Sequence, residues 1–193
     1  MFSITDDHWL QGARRVESPN ADLRPRPHTG LACEMDLIVL HNISLPAGVF
    51  GSPYIDQLFT NQLDFNAHPS FAELRGLEVS SHLLIRRSGE IVQYVAFDRR
   101  AWHAGKSNYQ GRERCNDFSI GIELEGTDTL PYEDVQYTQL VAVVDSLIKR
   151  YPSLSFTGIT GHSDIAPGRK TDPGEAFDWT RFQLGLAGRR QAV

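Results

Sequence analysis

The polar and apolar positions of this chain outline an alternation of strands and helices. Leu37-Ile38-Val39-Leu40 is an unbroken apolar run closed by His41, as expected of a strand covered on both faces. Residues 118–125 alternate instead. Ile120, Ile122 and Leu124 point one way, and Gly121, Glu123 and Glu125 the other. Residues 79–86 and 91–95 flank Ser88-Gly89, a hairpin signal. The clearest helix spans about residues 133–150. Leu140, Val144, Leu147, Ile148 and Tyr151 form one stripe there, and Pro152 ends it. Residues 54–60 read as a helix, 71–77 as a helical turn and 156–160 as a short last strand that delivers His162 to the sheet rim. A further helix starts at Asp178, with Trp179 and Phe182 turned inward. At the N-terminus, residues 6–16 predict a first helix with Trp9, Leu10 and Ala13 on one side. Residues 17–30 read as an extended surface arm, 99–116 as a long ordered loop, and the tail from Gly188 as disordered. The pattern is that of an α/β protein.

Length and charge narrow the class. The 193 residues suit one domain, and 40% hydrophobic content provides for a sizeable core. The net charge of -5 and the lack of a long basic run argue against nucleic acid, whose phosphates require a concentrated positive face. Cys33 and Cys115 are far apart and form no C-x-x-C motif. They read as idle thiols compatible with a reducing compartment. The start of the chain has no apolar stretch of signal-peptide length, and no segment approaches a membrane span. The expectation is a soluble cytoplasmic protein.

The chemistry concentrates in residues 161–174. Gly161, Pro167, Gly168, Pro173 and Gly174 exclude a regular helix or central strand, so His162, Asp164, Lys170 and Asp172 sit on an irregular loop. His41 and His162 each follow a strand end. A hydrolytic zinc site needs three protein ligands and an open position, and His41, His162 and Asp172 make such a set. The alternatives are a core histidine at 41, a turn residue before Pro173 at 172, and Asp164 as a rival ligand or a loop brace. Glu123 stands mid-strand, where acids are disfavoured. It is either a solvent-facing residue or a carboxylate aimed into a cleft with a raised pKa, with Gly121 leaving space beside it. Glu125, at the strand end, fits a surface position better. Lys170 is a solvated charge or an oxyanion stabiliser. Trp102 is part of the core or a flat face for a sugar or peptide. His103 lines a cleft or ties down its loop, and His82 reads as a buried hydrogen-bonding histidine.

Five motifs resemble, in order and spacing, those of the zinc N-acetylmuramoyl-L-alanine amidases. They are Leu40-His41-Asn42-Ile43-Ser44, Val79-Ser80-Ser81-His82 with Arg86 to Glu90, Ala101-Trp102-His103-Ala104-Gly105, Asn116 to Glu123, and Gly161-His162 through Gly174. Residues 109–118 are similar to the AmpD-type subgroup, the cytoplasmic anhydromuropeptide amidases. The resemblance implies a central mixed sheet flanked by helices, the fold of peptidoglycan-recognition proteins. It implies a single zinc amidase domain over 1–193, with an N-terminal helix and arm in 1–30 and a flexible tail in 188–193. It implies Zn2+ on His41, His162 and Asp172, Glu123 as acid/base and Lys170 as oxyanion stabiliser. Phage-type relatives carry a tyrosine where this chain has Ser81, and often a cysteine where it has Asp172. Glu78 stands where a basic residue is expected.

The implied reaction is hydrolysis of the amide between the lactyl group of 1,6-anhydro-N-acetylmuramic acid and L-alanine, in peptidoglycan recycling. Asn42, Trp102 and Arg114 are the expected substrate contacts, Arg114 through a bidentate grip on a peptide carboxylate. The expected partner is a small soluble anhydromuropeptide, with no nucleic acid and no membrane, and the protein is expected to be a monomer. The rival readings are a non-catalytic muropeptide-binding protein on the same fold, an amidase of polymeric cell wall, and a zinc nuclease-like hydrolase.

Overall fold

A computed structural model describes residues 2–25 and 35–190, without the side chain of residue 190. His28 and Cys33 lie outside the described residues. The strands are β1 (Arg14–Arg15), β2 (Ala21–Leu23), β3 (Leu37–Ile43), β4 (Leu83–Ile85), β5 (Ile91–Gln93), β6 (Arg99–Ala101), β7 (Asn108–Tyr109), β8 (Arg112–Glu113), β9 (Ser119–Glu125) and β10 (Ile159–Gly161). The helices are α1 (Tyr54–Phe59), α2 (Asp134–Arg150), α3 (His162–Ile165) and α4 (Trp179–Arg190), with 3-10 turns at Pro69–Leu74 and Cys115–Asp117.

Six strands form one mixed sheet in the order β1-β5-β4-β9-β3-β10. Only the β4–β5 hairpin is antiparallel. The central strands β3 and β9 are buried on both faces for most of their length, which explains the apolar run 37–40. Ile38, Leu40, Ile120, Ile122 and Leu124 pack with Tyr137, Leu140, Val143, Val144 and Leu147 of α2 and with Phe182 and Leu186 of α4. On the other face, Leu84, Val92 and Tyr94 pack with Ile55, Leu58 and Phe59 of α1 and with Phe71. The start of α2 is tied to the sheet. Gln136 accepts from the Glu133 backbone N–H and donates to the carbonyls of Ile85 and Glu125.

Several elements differ from the sequence reading. No helix forms over residues 6–16. Gly12 adopts a φ of +88°, open to glycine and strained for other residues, and the chain turns into β1 alongside β5. Part of the expected arm is strand β2, paired with β6 inside the expected loop 99–116. That loop also contains the β7–β8 hairpin. Strand β3 continues through His41 to Ile43. The loop 161–174 opens with the single-turn helix α3. At the C-terminus α4 runs through Gly188 to Arg190, and residues 191–193 lie outside the described residues. No helix among the described residues is long and apolar enough to cross a membrane.

Candidate active site

The β3–β9 register sets His41 directly beside Glu123. Strand β10 pairs with β3 and ends at Gly161, so His162 opens α3 next to His41. The loop after α3 returns Asp172 to the same point, its carbonyl accepting from Ser163 N–H at 2.9 Å. His41 Nδ1 and His162 Nδ1 are 3.0 Å apart. Asp172 Oδ2 is 2.9 Å from His41 Nδ1 and 3.0 Å from His162 Nδ1. Among the described residues this is the one cluster of three histidine, cysteine or acidic side chains able to hold a metal.

The donor chemistry suits a cation. His162 Nε2 lies 3.1 Å from the Ala104 carbonyl. A carbonyl only accepts, so Nε2 carries a proton and points away from the cluster, and Nδ1 is the nitrogen that faces it. Both imidazoles are almost fully buried. Burial is the main cause that lowers His41 to about 4, against the pull of its bond to Asp172. Burial alone would raise Asp172, but its bonds to His162 and His41 hold it well below the usual carboxylate range. Nδ1 of His41, Nδ1 of His162 and Oδ2 of Asp172 therefore converge on one point, a donor set that suits a divalent cation.

Glu123 borders this cluster and is only 8% exposed. Its Oε2 is buried without a hydrogen-bond partner. Burial, reinforced by the charge of Asp172, pushes its pKa well above the ordinary value, and Lys170 opposes the rise. The solvent-facing alternative for Glu123 is thus excluded. Glu125, read as a surface residue, is buried as well. Its carboxylate takes Arg86 at 3.3 Å and the N–H groups of Gly51 and Arg87 at 2.7 and 3.1 Å. Asp164 is a brace, accepting from Thr160 Oγ1 and Gly161 N–H, both at 2.9 Å. His82 is fully buried, with Nδ1 accepting from Gly121 N–H at 3.0 Å.

A cleft of about 450 Å³ opens over the cluster. His41, Glu123, His162, Lys170 and Asp172 line one part, and Trp102 and His103 form a wall. The far part is apolar, built by Leu45, Leu58, Phe59, Leu74, Leu77 and Val79, with Glu78 among them. Asn42 also lines the cleft, and its amide donates to Asp128 at 2.7 Å. Arg114 does not line it. It is 70% exposed and belongs to a neighbouring hollow with Lys106, Asn108 and Ile165. Arg169 borders both spaces and donates to the carbonyls of Ala104 and Lys106 at 2.8 and 2.7 Å.

Residues 32–175 match the family model described as N-acetylmuramoyl-L-alanine amidase. The chain belongs to the N-acetylmuramoyl-L-alanine amidase family. Within the family it is of the AmpD type. The 1,6-anhydro-N-acetylmuramyl-L-alanine amidase AmpD of Escherichia coli K12 is 63% identical over 181 residues, covering 94% of this chain and 96% of that protein. The crystal structure of a selenomethionine AmpD derivative superposes with a TM-score of 0.90 at 61% identity, covering 95% of this chain and 99% of that one. The amidase AmiD of E. coli, solved in complex with the substrate anhydro-N-acetylmuramic acid-L-Ala-D-gamma-Glu-L-Lys, has a TM-score of 0.57 at 29% identity, over 94% of this chain and 65% of its own.

Two contributors to the site carry weak signals in the sequence. His103 stands 2.9 Å from His41 Nε2, and Arg169 secures the carbonyl that orients His162. The Trp102-His103-Ala104-Gly105 motif signalled the first. Nothing in the sequence separated Arg169 from other surface arginines.

Proposed function

We propose that this amidase is zinc-dependent and hydrolyses the lactyl–L-alanine amide of 1,6-anhydro-N-acetylmuramyl peptides, as a cytoplasmic monomer in peptidoglycan recycling. The observation that carries the reading is the buried carboxyl of Glu123, whose Oε2 has no hydrogen-bond partner, beside the His41, His162 and Asp172 cluster. The substrate class is supported by the AmpD relatives' names and by the anhydromuropeptide held by AmiD.

In this reading His41, His162 and Asp172 hold Zn2+, which supplies Lewis acidity and lets a water ionise near pH 7. Glu123 accepts the proton as the water oxygen attacks the lactyl carbonyl. Its raised pKa lets it keep that proton and then deliver it to the leaving alanine nitrogen as the C–N bond breaks. Lys170, whose charge acts on both His41 and Glu123, stabilises the oxyanion. The products are an anhydro-sugar with a free lactyl carboxylate and a peptide beginning at L-alanine.

Trp102 offers its face to the sugar, and Asn42, fixed by Asp128, offers polar contacts on the opposite side. A stem peptide that leaves the cleft over Arg169 reaches Arg114, so both guanidinium groups can meet its carboxylates. The test is mass analysis of products from a soluble anhydromuropeptide, with the zinc-loaded and the chelator-stripped chain. Cleavage between sugars or inside the peptide, or full activity without metal, would overturn the reading.

A further inference from the structure

A chain of polar contacts runs from His41 away from the cluster, through residues that have no part in the proposed reaction. His41 Nε2 is 2.9 Å from His103 Nδ1. His103 Nε2 is 3.1 Å from Ser119 Oγ, and Ser119 Oγ is 2.6 Å from the Cys115 carbonyl oxygen. The last contact sets the direction of every proton. A carbonyl cannot donate, so the hydrogen between the two oxygens belongs to Ser119. Ser119 has then spent its only proton and can only accept from His103 Nε2. A neutral His103 protonated at Nε2 has a bare Nδ1, which must accept from His41 Nε2. Accepting there favours the His41 form protonated at Nε2, whose Nδ1 lone pair faces His162 and Asp172 and can take a cation.

We propose that His103 is a positioning residue that locks His41 into its metal-binding tautomer through this His41–His103–Ser119–Cys115 chain. The inference rests on the reading of His41 as a metal ligand. The surrounding fold keeps a place for the ring. A Cβ on Gly121 would lie 2.5 Å from His103 Cγ and 2.7 Å from its Nδ1, so glycine is required on that strand position. The space that Gly121 leaves is filled by this imidazole. Asn116 Oδ1 accepts from the backbone N–H of His103 at 3.1 Å and of Ala104 at 2.7 Å, pinning the turn. The same turn acts on both imidazole ligands: the side chain of residue 103 orients His41, and the carbonyl of residue 104 orients His162.

The experiment uses the full chain, stripped of metal and titrated with zinc against a chromogenic chelator. Ring 15N shifts report the His41 tautomer in the metal-free state. Wild type should hold more of its His41 protonated at Nε2 than His103→Phe does, because only His103 opposes the pull of the Asp172 carboxylate on that proton. His103→Phe, which keeps a ring but removes the acceptor, should shift the tautomers toward Nδ1 and weaken zinc binding about 10–100-fold. His103→Asn puts an amide oxygen near the lost Nδ1 and should return most of the affinity, a rescue that bulk packing alone would not produce. Unchanged zinc affinity in His103→Phe, failure of the Asn rescue, or an equal Nε2-protonated share of His41 in wild type and His103→Phe would each overturn the proposal. Wild type that binds no zinc would instead sink the metal reading, and this inference with it. Should His103→Phe not fold, Ser119→Ala and His103→Asn carry the same two readouts, with a tautomer shift expected in the former and none in the latter.

Discussion

Glu123 and Glu125 lie two residues apart on one strand, and of the two only Glu125 meets Arg86, which also holds Asp56, Glu90 and the Ser52 carbonyl. Both carboxyls are buried. Glu125 is bound by a guanidinium and two backbone N–H groups, whereas Glu123 Oε2 has no partner. Side chains at i and i+2 share a strand face, so the difference comes from what packs opposite. The loop after β3 and the β4–β5 turn cover Glu125. The cleft lies over Glu123.

Glu123→Gln should therefore separate activity from stability. Turnover should fall about 10²–10⁴-fold, as for loss of a general acid/base, while bound metal is retained. In the metal-free chain the same change should raise Tm at neutral pH. The sign follows from the raised folded pKa. Glu123 contributes its full stability below its unfolded value near 4.5, and loses it as pH rises through the folded pKa. The Tm gap between variant and wild type should vanish near pH 4 and open at higher pH. A gap independent of pH, or a variant that loses its metal, would show that Glu123 has another role.

Arg86→Ala should do the reverse. It leaves Glu125 charged and buried with only backbone donors, at a cost of about 3–5 kcal/mol. Denaturant unfolding reads this directly. Adding Glu125→Gln should recover much of the loss, because the stranded charge is then gone. A cost under about 1 kcal/mol would mean that water reaches Glu125 in the native state.

The ligand set makes its own prediction. Asp172→Ala or His41→Ala should abolish stoichiometric zinc and the stabilisation that zinc confers. For wild type that stabilisation is about 2.7 kcal/mol at a hundredfold excess over Kd. Calorimetry with and without zinc checks it. Lys170→Ala should keep both metal and stabilisation and lose rate, since its ammonium does not belong to the donor cluster. If Lys170→Ala loses zinc, its place in the reaction must be redrawn.

What the sequence disclosed depended on the range of the interactions involved. The strand 37–40, the hairpin around Ser88-Gly89 and helix α2 have strong local periodicity, and all three form; α2 keeps its expected bounds, whereas the strand extends to Ile43 and the hairpin pairs only over Leu83–Ile85 and Ile91–Gln93. The convergence of His41, His162 and Asp172 was legible because His41 closes an apolar strand, glycines and prolines flag the loop that carries the other two, and the family motifs agree. The first helix was misread because Trp9, Leu10 and Ala13 imitate a helical stripe. In the fold Leu10 N–H is held at 2.6 Å by Gln93, 83 residues away. Strands β2 and β6, three residues each, exist only through pairing with each other, so neither carries a signal of its own. Glu125 looked exposed because its partner Arg86 is remote in sequence. The contacts from His41 to Cys115 join three separate stretches of chain, around residues 41, 103 and 115–119, and no spacing rule encodes them.

Substrate selection provides the last prediction. The attacking group is only a water, so discrimination must come from the cleft walls and the path that leads out of them. Trp102 lines the cleft directly, whereas Arg114 stands in the next hollow with Arg169 on the divide. Trp102→Ala should therefore raise KM for every anhydromuropeptide, whatever its stem length. Arg114→Ala should spare substrates with the shortest stems and raise KM only for stems long enough to cross Arg169, without changing zinc content. Steady-state kinetics on a series of stem lengths distinguishes the two. An Arg114→Ala effect equal at all lengths would place the guanidinium against the sugar or the first residue, and the proposed peptide path would be wrong. Preference of the wild-type chain for intact wall over soluble anhydromuropeptide would leave the chemistry in place but remove the recycling role, because a cleft matched to the anhydro-sugar has no reason to favour polymer.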